Sequence, residues 1–232
     1  MKDEVLFSAF LTDVLVSGML RRRFAKDGGN PHLGVGPENC HIYRARAGLL
    51  DVDYIGHMNN SSYLSHAEYA RWEMAAETGM LQTMMSKDIH FILSGNFIRY
   101  RREVRPLFRS FQVESYISAI DDRSLWFTHN LRYSDNDRLR AQILAQAVIV
   151  QNRKVLLPRD FLRDVCGHEE DLIDRVTWPD GQDVSHADLL NAYRDLDNNM
   201  RSLAAKDDEK HKQTSWAPFG IRFLWCGRCL CY

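Results

Sequence analysis

DVDYIGHMNNSSYLSHAEYARW, residues 51–72, packs two aspartates, a glycine, a histidine and two asparagines into a short polar run that feeds an apolar-periodic stretch. The run Asp51–Asn60 reads as a loop. Asn59 and Asn60 are suited to cap a helix start, because a short amide side chain can accept from the first free backbone N–H groups. The helix is expected over Ser61–Gly79, with Gly79 as its stop. Tyr63, Ala67, Ala70 and Met74 fall on one stripe, with Leu64 and Trp72 beside it. The small residues of that stripe predict close packing against a sheet.

Beyond this helix the apolar period changes from that of a helix to that of a strand. Strands are expected over 89–104, 110–120, 124–134 and 139–152, and a first strand over 41–50, where Ile42, Arg44 and Arg46 alternate with Tyr43, Ala45 and Ala47. The turns at Asp121–Arg123 and Ser134–Asp137 are short, so the last three strands should be consecutive antiparallel neighbours. One strand, a helix, then four strands is the order of a buried helix wrapped by an antiparallel sheet, an α+β fold. No alternation of strand and helix suggests a doubly wound sheet.

The flanks read differently. Lys26–Glu38, KDGGNPHLGVGPE, breaks both helix and strand and reads as a linker. The apolar run over residues 5–20 is short for a membrane span and holds Asp13 near its middle. It reads as an amphipathic helix, with Phe7, Leu11, Val14 and Gly18 on one stripe, docked on the domain or lying on a membrane surface with Arg21–Arg23 toward anionic lipid. From Pro158 the pattern is helical and polar, with a helix over Ser185–Leu203 and a charged, mobile stretch at Lys206–Lys212. The expected organisation is a helix over 1–25, a linker over 26–39, the central domain over 40–157 and a helical extension over 158–232 with an apolar tail.

Composition sets further bounds. The 232 residues are 45% apolar and 26% charged, enough for a core, and the charges nearly cancel at −1. Such a chain has no global field that would draw it to nucleic acid. Five cysteines, three of them in the last seven residues, do not make a disulfide framework, and point to a reducing, cytoplasmic setting. The lone Cys226–Cys229 pair lacks the second pair that a zinc site needs.

A helix N-terminus carries free N–H groups and the positive end of a dipole, and can polarise a carbonyl. A carboxylate beside it can activate water or attack directly. Those parts suit acyl transfer, with backbone N–H groups near Gly56–Asn60 on the oxyanion.

The same residues resemble the hotdog-fold thioesterase signature D-x-D-x-x-G-H-x-N-N-x-x-Y, through Asp51, Asp53, Gly56, His57, Asn59, Asn60 and Tyr63, with Glu68 as a helical acid. FIRYRREVRP, Phe97–Pro106, resembles the family's basic strand. YRAR at Tyr43–Arg46 and HMNN at His57–Asn60 look most like the thioesterase superfamily member six subgroup. The resemblance implies a hotdog fold and hydrolysis of an acyl-CoA thioester without metal or redox cofactor. It implies Asp53 as the catalytic carboxylate, His57 as its neighbour and Glu103 as a further functional acid. Gly56, Asn59, Asn60, Tyr63 and Arg105 then fall to substrate binding, and a homodimer or dimer of dimers follows. Two departures stand out: Ile55 replaces an asparagine of related plant enzymes, and Leu107–Phe108 replaces a Gly-Asp turn. Residue by residue, Asp53 also suits a cap, Asn59 and Asn60 suit turn formers, and Gly56 suits either close approach or a positive φ. Parity places Glu103 with Arg99, Arg101 and Arg105 on one strand face, opposite Ile98, Tyr100 and Val104, a face that suits plain solvent with Glu103 paired to an arginine, or arginines set to hold the phosphates of coenzyme A. His66 reads as structural. A non-catalytic acyl-CoA binder is the second reading.

Overall fold

The computed structural model describes residues 2–24, 30, 32–105, 109–181, 184 and 187–214. It divides into two compact units, residues 1–185 and 186–232. The cysteine-rich tail and the departure at Leu107–Phe108 lie outside the described residues.

The elements of the first unit are α1 (Lys2–Phe24), β1 (His41–Arg46), α2 (Asn60–Thr78), α3 (Met80–Ser86), β2 (Ile89–Tyr100), β3 (Ser110–Ile120), β4 (Ser124–Tyr133), β5 (Leu139–Gln151), β6 (Lys154–Leu156), α4 (Pro158–Asp160) and α5 (Glu170–Val176). A π-helical turn, Phe161–Val165, continues α4. The second unit contributes α6 (Ala187–Thr214). It runs through Lys206–Lys212, which the sequence suggested to be mobile. That stretch mixes charges of both signs among good helix formers, which sustains a helix rather than breaking it.

Among the described residues the strands form a six-stranded sheet ordered β1-β3-β4-β5-β2, with β6 added on β5. Every ladder is antiparallel, and β3, β4 and β5 are consecutive neighbours as the short turns require. Asp121 makes the first turn by accepting the N–H groups of Arg123 and Ser124, each at 2.8 Å. The sheet packs around α2, whose Tyr63, Ala67, Ala70 and Met74 are all buried. Gly79 ends α2 in the left-handed region at φ 80°, and the Arg22 guanidinium lies where a side chain at Gly79 would stand.

Two apolar clusters flank the length of α2. One gathers Tyr43, Met58, Tyr63, Phe111, Leu131 and Ile143 near its start. The other gathers Met74, Met80, Ile117, Phe127, Ile149, Phe161, Leu162 and Ile173 toward its end and α3. Buried polar groups also sit on these elements. Arg71 donates to Nε2 of His129 at 3.1 Å, and Nδ1 of His129 pairs with the Ser115 hydroxyl at 2.8 Å. Since guanidinium only donates, His129 is neutral with its proton on Nδ1.

The flanks are more integrated than composition suggested. Within the expected linker, the N–H of Ile117 donates to Gly34 at 2.7 Å and the N–H of Gly36 donates back to Ile117 at 3.1 Å. Val35 between them is buried, and the positive φ of both glycines makes this path available. After Leu157, Phe161, Leu162, Leu172, Ile173 and Val176 complete the second cluster. The first strand stops at Arg46, short of the expected residue 50, because Gly48 N–H bonds the Asp51 carboxylate at 2.7 Å and closes a turn of 3₁₀ helix over Leu49–Asp51.

α1 docks on α2. Gly18 is the closest point: a Cβ there would meet the Glu73 carbonyl at 2.6 Å and the Ala76 Cβ at 2.8 Å. Arg21 reaches the buried Glu73 carboxylate at 2.6 Å. Val14 and Gly18 of the expected stripe are buried on this side, while the side chains of Phe7 and Leu11 lie outside the described residues.

Candidate active site

The Asp51–Asn60 loop is held by its own hydrogen bonds. Asp53 N–H donates to the His57 carbonyl at 2.8 Å, and Gly56 N–H donates to the Asp53 carbonyl at 3.0 Å. Oδ1 of Asp53 accepts the N–H groups of Ile55 and His57, each at 3.0 Å. Gly56 stands at φ +80° with open space where a Cβ would be, so the turn needs its backbone freedom and not its small size.

Asn59 caps α2, accepting from Ser62 N–H at 3.0 Å and from the Ser61 hydroxyl at 2.6 Å. Its amide nitrogen donates to the Asp51 carbonyl at 3.2 Å. Asn60 offers its carbonyl to the Tyr100 hydroxyl at 3.2 Å. Tyr63 is buried, accepts Val104 N–H at 3.1 Å, and meets Tyr100 edge-on. Burial pushes its phenol pKa up. Asn59 and Tyr63 thus spend their polar atoms on the scaffold of the site.

Most of the expected oxyanion donors are engaged within the protein. The N–H groups of Gly56, His57, Met58 and Asn59 all go to protein acceptors: Asp53, the Asp53 carboxylate, Val104 and Asp51. Asn60, the first residue of α2, and Ser61 after it have no acceptor one turn back. Among the described residues the donors left are therefore Asn60, the last of the expected run, and Ser61 after it, at the helix start itself.

Glu103 is exposed with Arg105 while Val104 between them is buried, as strand parity suggested. β2 ends at Tyr100, and the N–H groups of Arg101 and Arg102 both donate to the Arg140 carbonyl, at 2.8 and 3.0 Å. Two successive donors on one acceptor break the ladder there. Past that break Oε2 of Glu103 comes to 4.0 Å from Nε2 of His57, an otherwise unpartnered buried nitrogen. Oε1 of Glu103 pairs with Arg105 Nε at 3.0 Å. The Arg105 peptide is clamped by the Tyr133 hydroxyl, which bonds both its N–H and its carbonyl. The structure thus gathers Asp53, His57, Glu103 and Arg105 beside the start of α2.

The first aspartate has a separate task. Asp51 accepts from His66 Nε2 at 3.2 Å and from Gly48 N–H, tying the loop to the buried helix. Burial opposes ionisation of Asp51, but the bonds from His66, Gly48 and Ser62 outweigh it and hold its pKa below the ordinary value. His66 packs edge-on against Phe111 at 4.8 Å, in keeping with its structural reading.

Further along α2 a small apolar cleft of about 50 Å³ lies between α2, α3 and β2, lined by Trp72, Met74, Met80, Met84, Phe91 and Phe127, with Glu68 and Arg71 on its wall. Sequence reasoning singled out Glu68 but missed Arg71; their spacing of three on a helix places both on one face. Burial lowers the Arg71 pKa to about 10, with Glu68 partly offsetting it. Among the described residues no group of three His, Cys, Asp or Glu could hold a metal ion.

A central helix wrapped by an antiparallel sheet, with an acid-rich capped loop at its start, defines a hotdog fold of the thioesterase type. The probable thioesterase YbaW of Escherichia coli has this fold, with a TM-score of 0.50 and 22% identity over 53% of this chain and 94% of that one. The chain belongs to the Thioesterase-like superfamily, whose family model matches residues 47–178. It is similar to Protein THEM6 of Xenopus laevis, with 29% identity over 69% of this chain and 77% of that one. Protein THEM6 of Danio rerio is 23% identical over 57% of this chain and 63% of its own length.

Proposed function

We propose that the chain hydrolyses acyl-CoA thioesters at the start of α2. The observation that carries this reading is the convergence of Asp53, His57 and Glu103, from two separated segments, beside the free N–H groups of Asn60 and Ser61. The thioester carbonyl sits at those N–H groups, which stabilise the oxyanion as it forms. Asp53 uses Oδ2, the oxygen not engaged by Ile55 and His57, to take a proton from water as the water attacks the carbonyl carbon. The C–S bond then breaks and the CoA thiolate leaves, recovering a proton. His57 orients the water, and Glu103 positions the His57 ring.

The acyl chain follows α2 toward the cleft. At about 1.5 Å per residue, Glu68 lies roughly 12 Å along the axis from Asn60. Arg105 supplies charge for the phosphates of coenzyme A. A homodimer is supported by β2, an edge strand of the sheet that exposes Ile92, Leu93, Phe97 and Tyr100.

Thiol release from short, medium and long acyl-CoAs, comparing the protein with Asp53→Asn, tests the reading. Release that falls by about 10²–10⁴-fold in the variant supports it. Undiminished release refutes the role of Asp53. A second reading, acyl-CoA binding without turnover, is favoured by one observation: the two N–H bonds to Asp53 Oδ1 are what a purely loop-capping aspartate makes. Tight binding with no thiol release selects it.

A further inference from the structure

The end of the sheet that carries the Asp51–Asn60 loop also carries an apolar tip. Leu49 is 71% exposed, Leu50 80%, Tyr54 99% and Ile55 56%. These side chains are not displayed by a slack segment. Leu49 and Leu50 lie in the 3₁₀ turn that the Gly48–Asp51 bond closes, and Tyr54 and Ile55 lie in the turn closed by Gly56 N–H on Asp53. Four large apolar groups held into water by a bonded loop mark a docking surface.

The charge around this tip says what it docks on. The register brings the ends of β1, β2 and β4 and the starts of β3 and β5 to the same edge: Arg46 faces Ser110, Phe111 faces Tyr133, Leu131 faces Ala141 and Tyr100 faces Ala141. Arg44, Arg46, Arg101, Arg102 and Arg138 are exposed at or next to these ends. Among the described residues none of their side chains is paired with a carboxylate. Three of the acids at this end are each beside an arginine outside that group. Glu103 is held by Arg105 at 3.0 Å, Asp135 by Arg109 at 2.5 Å, and Asp137 lies 3.9 Å from Arg132. Asp53 is bonded by the loop backbone and Asp51 by His66. Asp51 and Asp53 are thus the acids here without an arginine partner, and the five exposed arginines outnumber them, so the tip is ringed by excess positive charge. A second copy of the chain meeting this end about a two-fold axis would set one arginine ring against another, which like charges oppose. A sheet of lipid phosphates over an apolar layer complements both the ring and the tip.

We propose that this end of the domain docks on an anionic lipid surface, with Leu49, Leu50, Tyr54 and Ile55 inserted at headgroup level and Arg44, Arg46, Arg101, Arg102 and Arg138 on the lipid phosphates. The contact is distinct from any made by residues 5–23 and does not depend on hydrolysis. Docked this way, the start of α2 faces the layer in which long acyl chains dissolve.

Vesicle sedimentation of the full chain tests this, using phosphatidylcholine vesicles with and without phosphatidylserine. The expected result is binding to the anionic vesicles that weakens with salt and is not displaced by free coenzyme A. Leu50→Asp/Tyr54→Asp should lower that binding by about tenfold or more, because both prongs must then leave the apolar layer. Arg101→Gln/Arg102→Gln should lower it by about fivefold for each charge removed. Circular dichroism checks that each variant is folded. No binding by the folded protein overturns the proposal. So does binding unchanged in the loop variant, which places the contact elsewhere, as does displacement by free coenzyme A, which marks a soluble-phosphate site. A loop variant that lowers the oligomeric mass in light scattering overturns it in favour of an interface between copies. Hydrolysis enters none of these readouts, so loss of activity and loss of docking are separately visible.

Discussion

Nε2 of His57 lies 4.0 Å from Oε2 of Glu103, although one residue precedes α2 and the other follows the end of β2. The approach is made beyond the end of β2, past the Arg140 carbonyl that receives the N–H groups of both Arg101 and Arg102. Glu103→Gln keeps the shape and removes the charge facing the imidazole. Hydrolysis should fall by about 10–100-fold in kcat with little change in KM, since the ring is misplaced and not removed. Steady-state kinetics on one acyl-CoA measures the split. A change confined to KM would instead make Glu103 a substrate-binding group.

Asp51 and His66 connect the loop to the buried helix, and Asp51→Asn should cost about 1–3 kcal/mol of stability. The folded pKa of Asp51 is lowered, so its contribution is fully present above the unfolded value of about 3.9 and is lost as pH falls through the folded value. The gap between the protein and the variant in urea denaturation should therefore be steady near neutrality and shrink below about pH 4.

His129 should give the opposite half of the pH range its slope. Burial, with Arg71 and His41 nearby, holds its pKa well below the ordinary value. The unfolded chain then binds a proton that the folded chain does not. Stability is full above the unfolded pKa of about 6.5 and declines as pH falls from there toward the folded value. His129→Gln retains a group that can bond Arg71 and Ser115 without titrating. Its stability should depend less on pH between about 5 and 7, measured by thermal unfolding across that range.

The β2 edge predicts its own variant. Ile92→Lys/Phe97→Lys places two charges on the exposed apolar residues of that strand. A dimer built on this edge should become a monomer in light scattering, with stability of each folded copy little changed because neither position is buried.

Much of this architecture was legible in the sequence. Asn59 and Gly79 bound α2 as their types require, and the turns at Asp121 and Ser134 set three antiparallel neighbours in order. The expectation failed where backbone groups found partners far along the chain. The glycine-rich stretch before β1 read as linker, yet Gly34 and Gly36 pair with Ile117. The polar run after Pro158 read as extension, yet Phe161 and Ile173 are core. Composition reports local tendency and cannot show a distant acceptor or an apolar surface waiting to be covered.

The site divides along the same line. The order of residues from Asp51 to Trp72 by itself determined a capped helix with carboxylates at its positive end, because capping and periodicity act within a turn or two of chain. Only the tertiary structure decided which of those groups remain free to act. It engaged the N–H groups of Gly56–Asn59 within the protein and left those of Asn60 and Ser61. It gave Asp51 to His66 and brought Glu103 to His57. Some of those choices are local to the loop, but the bond of Met58 N–H to Val104 and the approach of Glu103 to His57 join segments remote in sequence, and they follow from how the sheet closes around α2.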